Sequence, residues 1–274
     1  MTAGLLWASL RSAAIAVLLI CALLPIYWML LVALSPTGLT LTWPPQIWPD
    51  VTGFSLEGLR NADGPVAAWL WNSTRLAAFT TIATLLVSLP AGYVIARRQT
   101  PEVKAAGLLM LLSKMVPASL LIVPLYIFFR RAGLLNSDPA VVLAILAYTI
   151  PFATWLMSVY IRSIPREIEE ASLLDGASPA RTFLMITVPL SAPAIAAVTL
   201  YSFVIAWNDY IFARTFLPLG DQTTIAVGAT TLIGDFVLEW NAVMSVATLA
   251  TLPPLLLFLV LQRYFVAGLV SGHD

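Results

Sequence analysis

Six stretches of about 20 residues or more run through this chain with almost no charge, and no other feature constrains its fold as tightly. A helix rises about 1.5 Å per residue, so roughly 20 predominantly apolar residues cross the hydrocarbon core of a bilayer. Residues 12–34, 76–96, 139–161, 182–208 and 240–262 hold no Asp, Glu, Lys or Arg. A further run, 105–129, is apolar apart from Lys114. The spacing predicts an all-α, polytopic membrane protein with six transmembrane helices, the fifth placed at about 190–212 near the end of its run. An even number of spans puts both termini on one side. The first run is too long for a signal peptide and lacks a small-residue cleavage site, so it reads as a retained helix.

Composition closes the soluble alternative. With 60% hydrophobic and 10% charged residues, too few charges exist to clothe a water-soluble surface of 274 residues. The formal net charge is zero, which gives no reason to expect nucleic acid as a partner. One cysteine, Cys21, and one histidine, His273, rule out a disulfide framework and a Cys/His metal cluster.

Loop charges suggest an orientation. With the N-terminus inside, the inner segments hold Arg11, Arg97, Arg98, Lys104, Arg162, Arg166, Arg181 and Arg263, against Arg60, Arg75, Arg130, Arg131 and Arg214 outside. Eight against five is a modest positive-inside bias. The first outer segment, 35–73, is rich in Pro, Gly and Trp. It reads either as an interfacial loop anchored by Trp43, Trp48, Trp69 and Trp71 or as a docking surface for an external partner. The whole chain reads as one membrane domain.

The inner loop between spans four and five, 164–189, is the most informative segment. Pro165 suits a helix start, and Glu167, Glu169 and Glu170 then lie near the positive end of the helix dipole. Ile168, Ala171 and Leu174 or Ser172 recur at three- and four-residue spacing, which gives a short apolar face. Asp175-Gly176 stops this helix, and Ser178 caps a second that has Pro179 in its first turn. The prediction is a two-helix elbow outside the bilayer. Its acids disfavour an anionic lipid surface, and a soluble partner with a groove fits it better.

Glu170-Ala171-Ser172-x-x-Asp175-Gly176-Ala177, followed by Phe183, Ile186 and Val188-Pro189, resembles the EAA loop of bacterial ABC importer permeases. Ser172 stands where that family has a second Ala, and Val188 where it has Leu. Weaker likenesses link the chain to the carbohydrate-uptake branch, near its smaller maltose-type permease. They are Asn72-Ser73, the 91–97 segment ending in Arg97, Met115-Val116-Pro117, Pro124-Leu125-Tyr126, Ala206-Trp207-Asn208-Asp209 and Gln262-Arg263-Tyr264.

The resemblance implies a multi-pass subunit of the bacterial inner membrane with both termini cytoplasmic. The elbow would be a coupling helix, seated on an ATPase through Glu170, Ala171, Asp175, Gly176 and Ala177. It also implies a second permease chain, two ATPase subunits and an extracytoplasmic solute-binding protein, within membrane lipid. This chain has no G-x-x-x-x-G-K-[ST] loop, Lys104 and Lys114 being followed by Ala and Met. ATP and Mg would therefore be bound by the partner ATPases, and no cofactor or catalytic residue is expected here. The solute class implied is a sugar, with a glycerophosphodiester as the alternative. An ion-coupled secondary transporter is the rival of a different kind.

Ionisable groups within spans are costly and mark pathways or structural pairings. Lys114, near the middle of span three, and Asn208 and Asp209, closing span five, are the candidates for a translocation path. Pairing or snorkelling of Lys114 and simple helix-end roles for the other two are the plainer readings.

Overall fold

The computed structural model describes residues 2–36, 48, 53–60, 62, 64–98, 100–217, 220–233 and 240–270. Every described element is helical. In order they are α1 (Thr2–Leu34), α2 (Glu57–Arg60), α3 (Val66–Arg97), α4 (Pro101–Ser113), a 3-10 turn (Ala118–Leu121), α5 (Ile122–Arg131) and α6 (Asp138–Ser163). There follow α7 (Arg166–Leu174), α8 (Pro179–Thr182), a π-helical stretch (Phe183–Thr187), α9 (Val188–Leu190), α10 (Ala192–Trp207), α11 (Ile211–Phe216), α12 (Ile225–Thr231) and α13 (Trp240–Val270).

Four helices are long and apolar enough to cross a bilayer, at Ser9–Leu34, Val66–Arg97, Asp138–Ser163 and Trp240–Phe265. Two bent pairs raise the number to six if each pair is one span: Pro101–Ser113 with Ala118–Arg131, bent by 98°, and Pro179–Leu190 with Ala192–Trp207, bent by 74°. The run at 105–129 is thus not one continuous helix. Pro117 has no amide hydrogen and holds an extended ψ of 137°, which separates the two halves. The fifth run also ends short of 212, because Asn208 closes α10 and α11 begins afresh at Ile211.

The chain divides into two compact units. One comprises Met1–Val66 and Gly228–Leu252. Here the last carbonyls of α1, which have no partner within their own helix, are taken up by the start of α13. Asn241 Nδ2 donates to the oxygens of Val32 at 2.9 Å and Ser35 at 2.7 Å, and Ser245 Oγ donates to Ala33 O at 3.1 Å. The rest of α1 turns large apolar side chains outward, as Leu18, Ile20 and Leu24 show. Of the tryptophans expected at the interface, Trp43 lies outside the described residues, and Trp48 is exposed.

The other unit comprises Ala67–Val227 and Pro253–Asp274. Trp69 and Trp71 belong to α3 rather than to a loop, with Trp69 buried and Trp71 exposed. Its core is built on small residues. Thr80, Thr84, Ser88, Gly92 and Ala96 recur every fourth position of α3, so they form one buried ridge. Lipid is as apolar as Leu, so membrane helices gain by close backbone approach and interhelical hydrogen bonds rather than by hydrophobic burial. Thr84 Oγ1 and Thr149 Oγ1 of α6 meet at 3.1 Å. A Cβ added to Gly92 would lie 2.6 Å from Met157 Cβ, so only glycine permits this crossing. Ala96, Ala153, Met157, Ile161, Ala194 and Val198 complete a core shared by α3, α6 and α10.

Candidate functional site

The predicted elbow is present and its turn is built as the residues dictate. Gly176 takes φ +87°, a left-handed conformation that costs glycine little. Its amide donates to Leu173 O at 3.1 Å, and the Ala177 amide donates to Ser172 O at 3.1 Å. This pair of bonds is a Schellman closure, which satisfies carbonyls left free at the end of α7. Ser178 Oγ accepts from the Arg181 amide at 3.3 Å, with Pro179 in the first turn of α8. Ser172 Oγ meets Thr182 Oγ1 at 3.1 Å, so the hydroxyl that departs from the family's Ala ties the two arms together.

Glu170, Ala171, Asp175 and Gly176 are exposed together on this elbow, and Ala177 is half-buried. The apolar face is exposed too: Leu174 is 89% accessible, with Ile168 also on the surface. Leucine left in water forfeits its burial energy, so this face is one built to be covered.

The inward side of α7 was not legible beforehand. Glu169 is buried and forms an ion pair with Arg97 at the end of α3, Nη2 to Oε1 at 2.7 Å and Nε to both oxygens at 3.1 Å. Tyr93 Oη donates to Oε2 at 3.2 Å, and Thr187 Oγ1 donates to Oε1 at 2.9 Å. Arg97 also donates to Ile164 O, beyond α6, at 3.2 Å. Arg166 returns a bond to Arg97 O at 3.1 Å. One carboxylate thus joins α7 to α3 and to the π-helical stretch, while guanidinium groups take up carbonyls at two helix ends. Burial pushes the Glu169 carboxyl upward, but the bonds from Arg97 and Thr187, the Arg97 charge and the Tyr93 bond outweigh it and hold it below the usual carboxylate range. The four-residue spacing of Tyr93 and Arg97 was the available signal, since it puts both on one face of α3.

The three pathway candidates are not brought into one cluster. Lys114 lies at the break after α4 rather than within a continuous helix. Its Nζ donates to Tyr201 Oη at 2.9 Å and sits 3.3 Å from the centre of the Tyr148 ring. Tyr201 is seven residues before Asn208 on α10, about 10 Å along the axis. Asn208 Nδ2 bonds back to Val204 O at 2.9 Å. Asp209 accepts from the Ala213 amide at 2.8 Å and the Phe212 amide at 3.5 Å, so it caps the start of α11.

The described elbow is thus anchored on one side by the Glu169–Arg97 pair and exposed on the other. Residues 88–271 match the family described as binding-protein-dependent transport system inner membrane component, and the chain belongs to that family. It is 38% identical over 211 residues to a putative ABC transporter permease protein, ORF1, of Streptomyces antibioticus, covering 77% of this chain and 92% of that one. The maltose/maltodextrin transport system permease protein MalG of Salmonella typhimurium is 34% identical, over 85% of this chain and 81% of its own. The trehalose transport system permease protein SugB of Mycobacterium tuberculosis is 30% identical, over 92% of both. The fold is shared with a bacterial ABC transporter involved in the import of the acidic polysaccharide alginate, at a TM-score of 0.80 and 20% identity, over 95% of this chain and 96% of that chain.

Proposed function

We propose that this chain is the membrane-spanning subunit of an ATP-driven importer for a sugar or sugar-like solute, acting as one permease domain with both termini and the elbow in the cytoplasm. The exposed apolar face of α7, held rigidly from below through Glu169, is the observation that supports the reading. The elbow seats in a cleft of an ATPase subunit: Leu174 and Ile168 supply apolar contact, Glu170 meets a basic group, and Ala171 allows close approach. Two ATPase subunits bind ATP and Mg, a second permease chain completes the path, and an external binding protein delivers the solute. Closure of the ATPases pushes on the elbow, and the Glu169–Arg97 link carries that displacement into α3. Relatives named for maltose and trehalose transport favour a saccharide over a glycerophosphodiester.

The test is solute uptake with Gly176→Pro and Glu170→Lys. Both are expected to abolish uptake and ATPase co-purification while insertion into the membrane stays intact. Wild-type uptake in both variants removes the coupling role. Uptake that persists without any ATPase makes the chain a secondary transporter instead.

A further inference from the structure

A cavity of about 230 Å³ lies where α3, α4 and α6 meet near the elbow end of the bundle. Leu108, Leu111 and Trp155 give it an apolar floor, and Lys104 and Arg162 stand among its lining residues. Gly107 leaves the floor open: a Cβ built there would meet only Ile95 Cγ2, at an ordinary 3.6 Å. Among the described residues, neither cation has an acidic partner. Among the described residues the ion pairs are Arg75–Asp138 and Arg97–Glu169. Acidic residues on the three helices around the cavity are Glu102 and Asp138. Asp138 is taken by Arg75, and no ion pair joins Glu102 to either cation. Arg162 has one long bond, Nη2 to Ile95 O at 3.4 Å.

Apolar walls with two uncompensated cations at the ends of membrane helices are complementary to an amphiphile with an anionic head. We infer that this groove binds one anionic phospholipid, its phosphate between Lys104 and Arg162 and its acyl chain along Gly107, Leu108 and Leu111. Basic pockets between helices at the charged face of a bilayer take such head groups. The site holds the entry of α4 against α6 and is separate from the elbow surface offered to an ATPase.

Native mass spectrometry of the full-length chain, with phosphatidylglycerol or phosphatidylcholine added to the detergent, tests it. A discrete single-lipid adduct is expected with phosphatidylglycerol and not with phosphatidylcholine. The Lys104→Gln/Arg162→Gln variant is expected to weaken that adduct about tenfold or more. Gly107→Leu is expected to block it by filling the floor, and Arg98→Gln, at an exposed position outside the groove, to leave it unchanged. Equal retention of the two lipids, or an unaffected double variant, overturns the proposal. A photo-reactive side chain at position 108 serves if the double variant fails to fold. Crosslinking to lipid supports the site, and crosslinking to a second protein chain overturns it.

Discussion

Glu169 and Glu170 are adjacent and chemically identical, yet they face different worlds. One residue of helix rotates a side chain by about 100°, and on α7 that turn separates a buried carboxylate bonded by Arg97, Tyr93 and Thr187 from an exposed one. The inward side is chosen by the fold of this chain. The outward side is left for something else to choose. A short helix can therefore be a rigid lever and an adaptable contact at once, because its two faces answer to different constraints.

The largest expected loss follows from breaking the inward side. Arg97→Ala leaves the Glu169 charge buried without its partner, and is expected to lower stability by about 3 kcal/mol or more, read as the thermal midpoint in detergent. Glu169→Gln keeps shape and some hydrogen bonds, so its loss is expected to be clearly smaller. Equal losses would mean that packing, not charge, anchors the elbow.

Gly176→Ala comes next. It places a Cβ in a left-handed turn, which costs about 1–2 kcal/mol, and fraying of α7 is the expected readout by hydrogen exchange. Acid sharpens the comparison. The folded Glu169 carboxyl is held below its unfolded value of about 4.3, so its contribution is full above that pH and is lost as pH falls through the folded value. Wild-type stability is expected to fall below about pH 4 more steeply than that of Glu169→Gln. Ser172→Ala, which breaks only the hydroxyl bridge to Thr182, is expected to cost about 1 kcal/mol or less. Smallest of all, Glu170→Lys is expected to shift stability by no more than ~0.5 kcal/mol while abolishing uptake. A large stability loss there would erase the contrast between the two glutamates.

Much of the fold was legible because its causes are local. Charge-free runs of bilayer length named the spans, and Pro165, Gly176 and Ser178 with Pro179 named the elbow's ends. Hydropathy does not sense backbone direction, so residues 105–129 read as one span, although Pro117 marks the break after Lys114. The ridge from Thr80 to Ala96 is written at four-residue spacing, but its polar first three members, Thr80, Thr84 and Ser88, do not signal a buried face by hydropathy. Asn208 and Asp209 could be read as pathway or helix-end residues, and their bonds close α10 and open α11. For Lys114 the sequence left a structural pairing open, and α6 and α10 supply the partners, Tyr148 and Tyr201.

The sequence by itself determined that this chain lives in a membrane, and that it carries a helix–turn–helix elbow between its fourth and fifth apolar runs. Transfer energy and helix-end chemistry act over a few neighbouring residues, so they can be read along the chain. Only the tertiary structure decided which glutamate anchors that elbow. Arg97 and Glu169 lie 72 positions apart, and a bond over that separation exists only once the ends of α3 and α6 meet the start of α7.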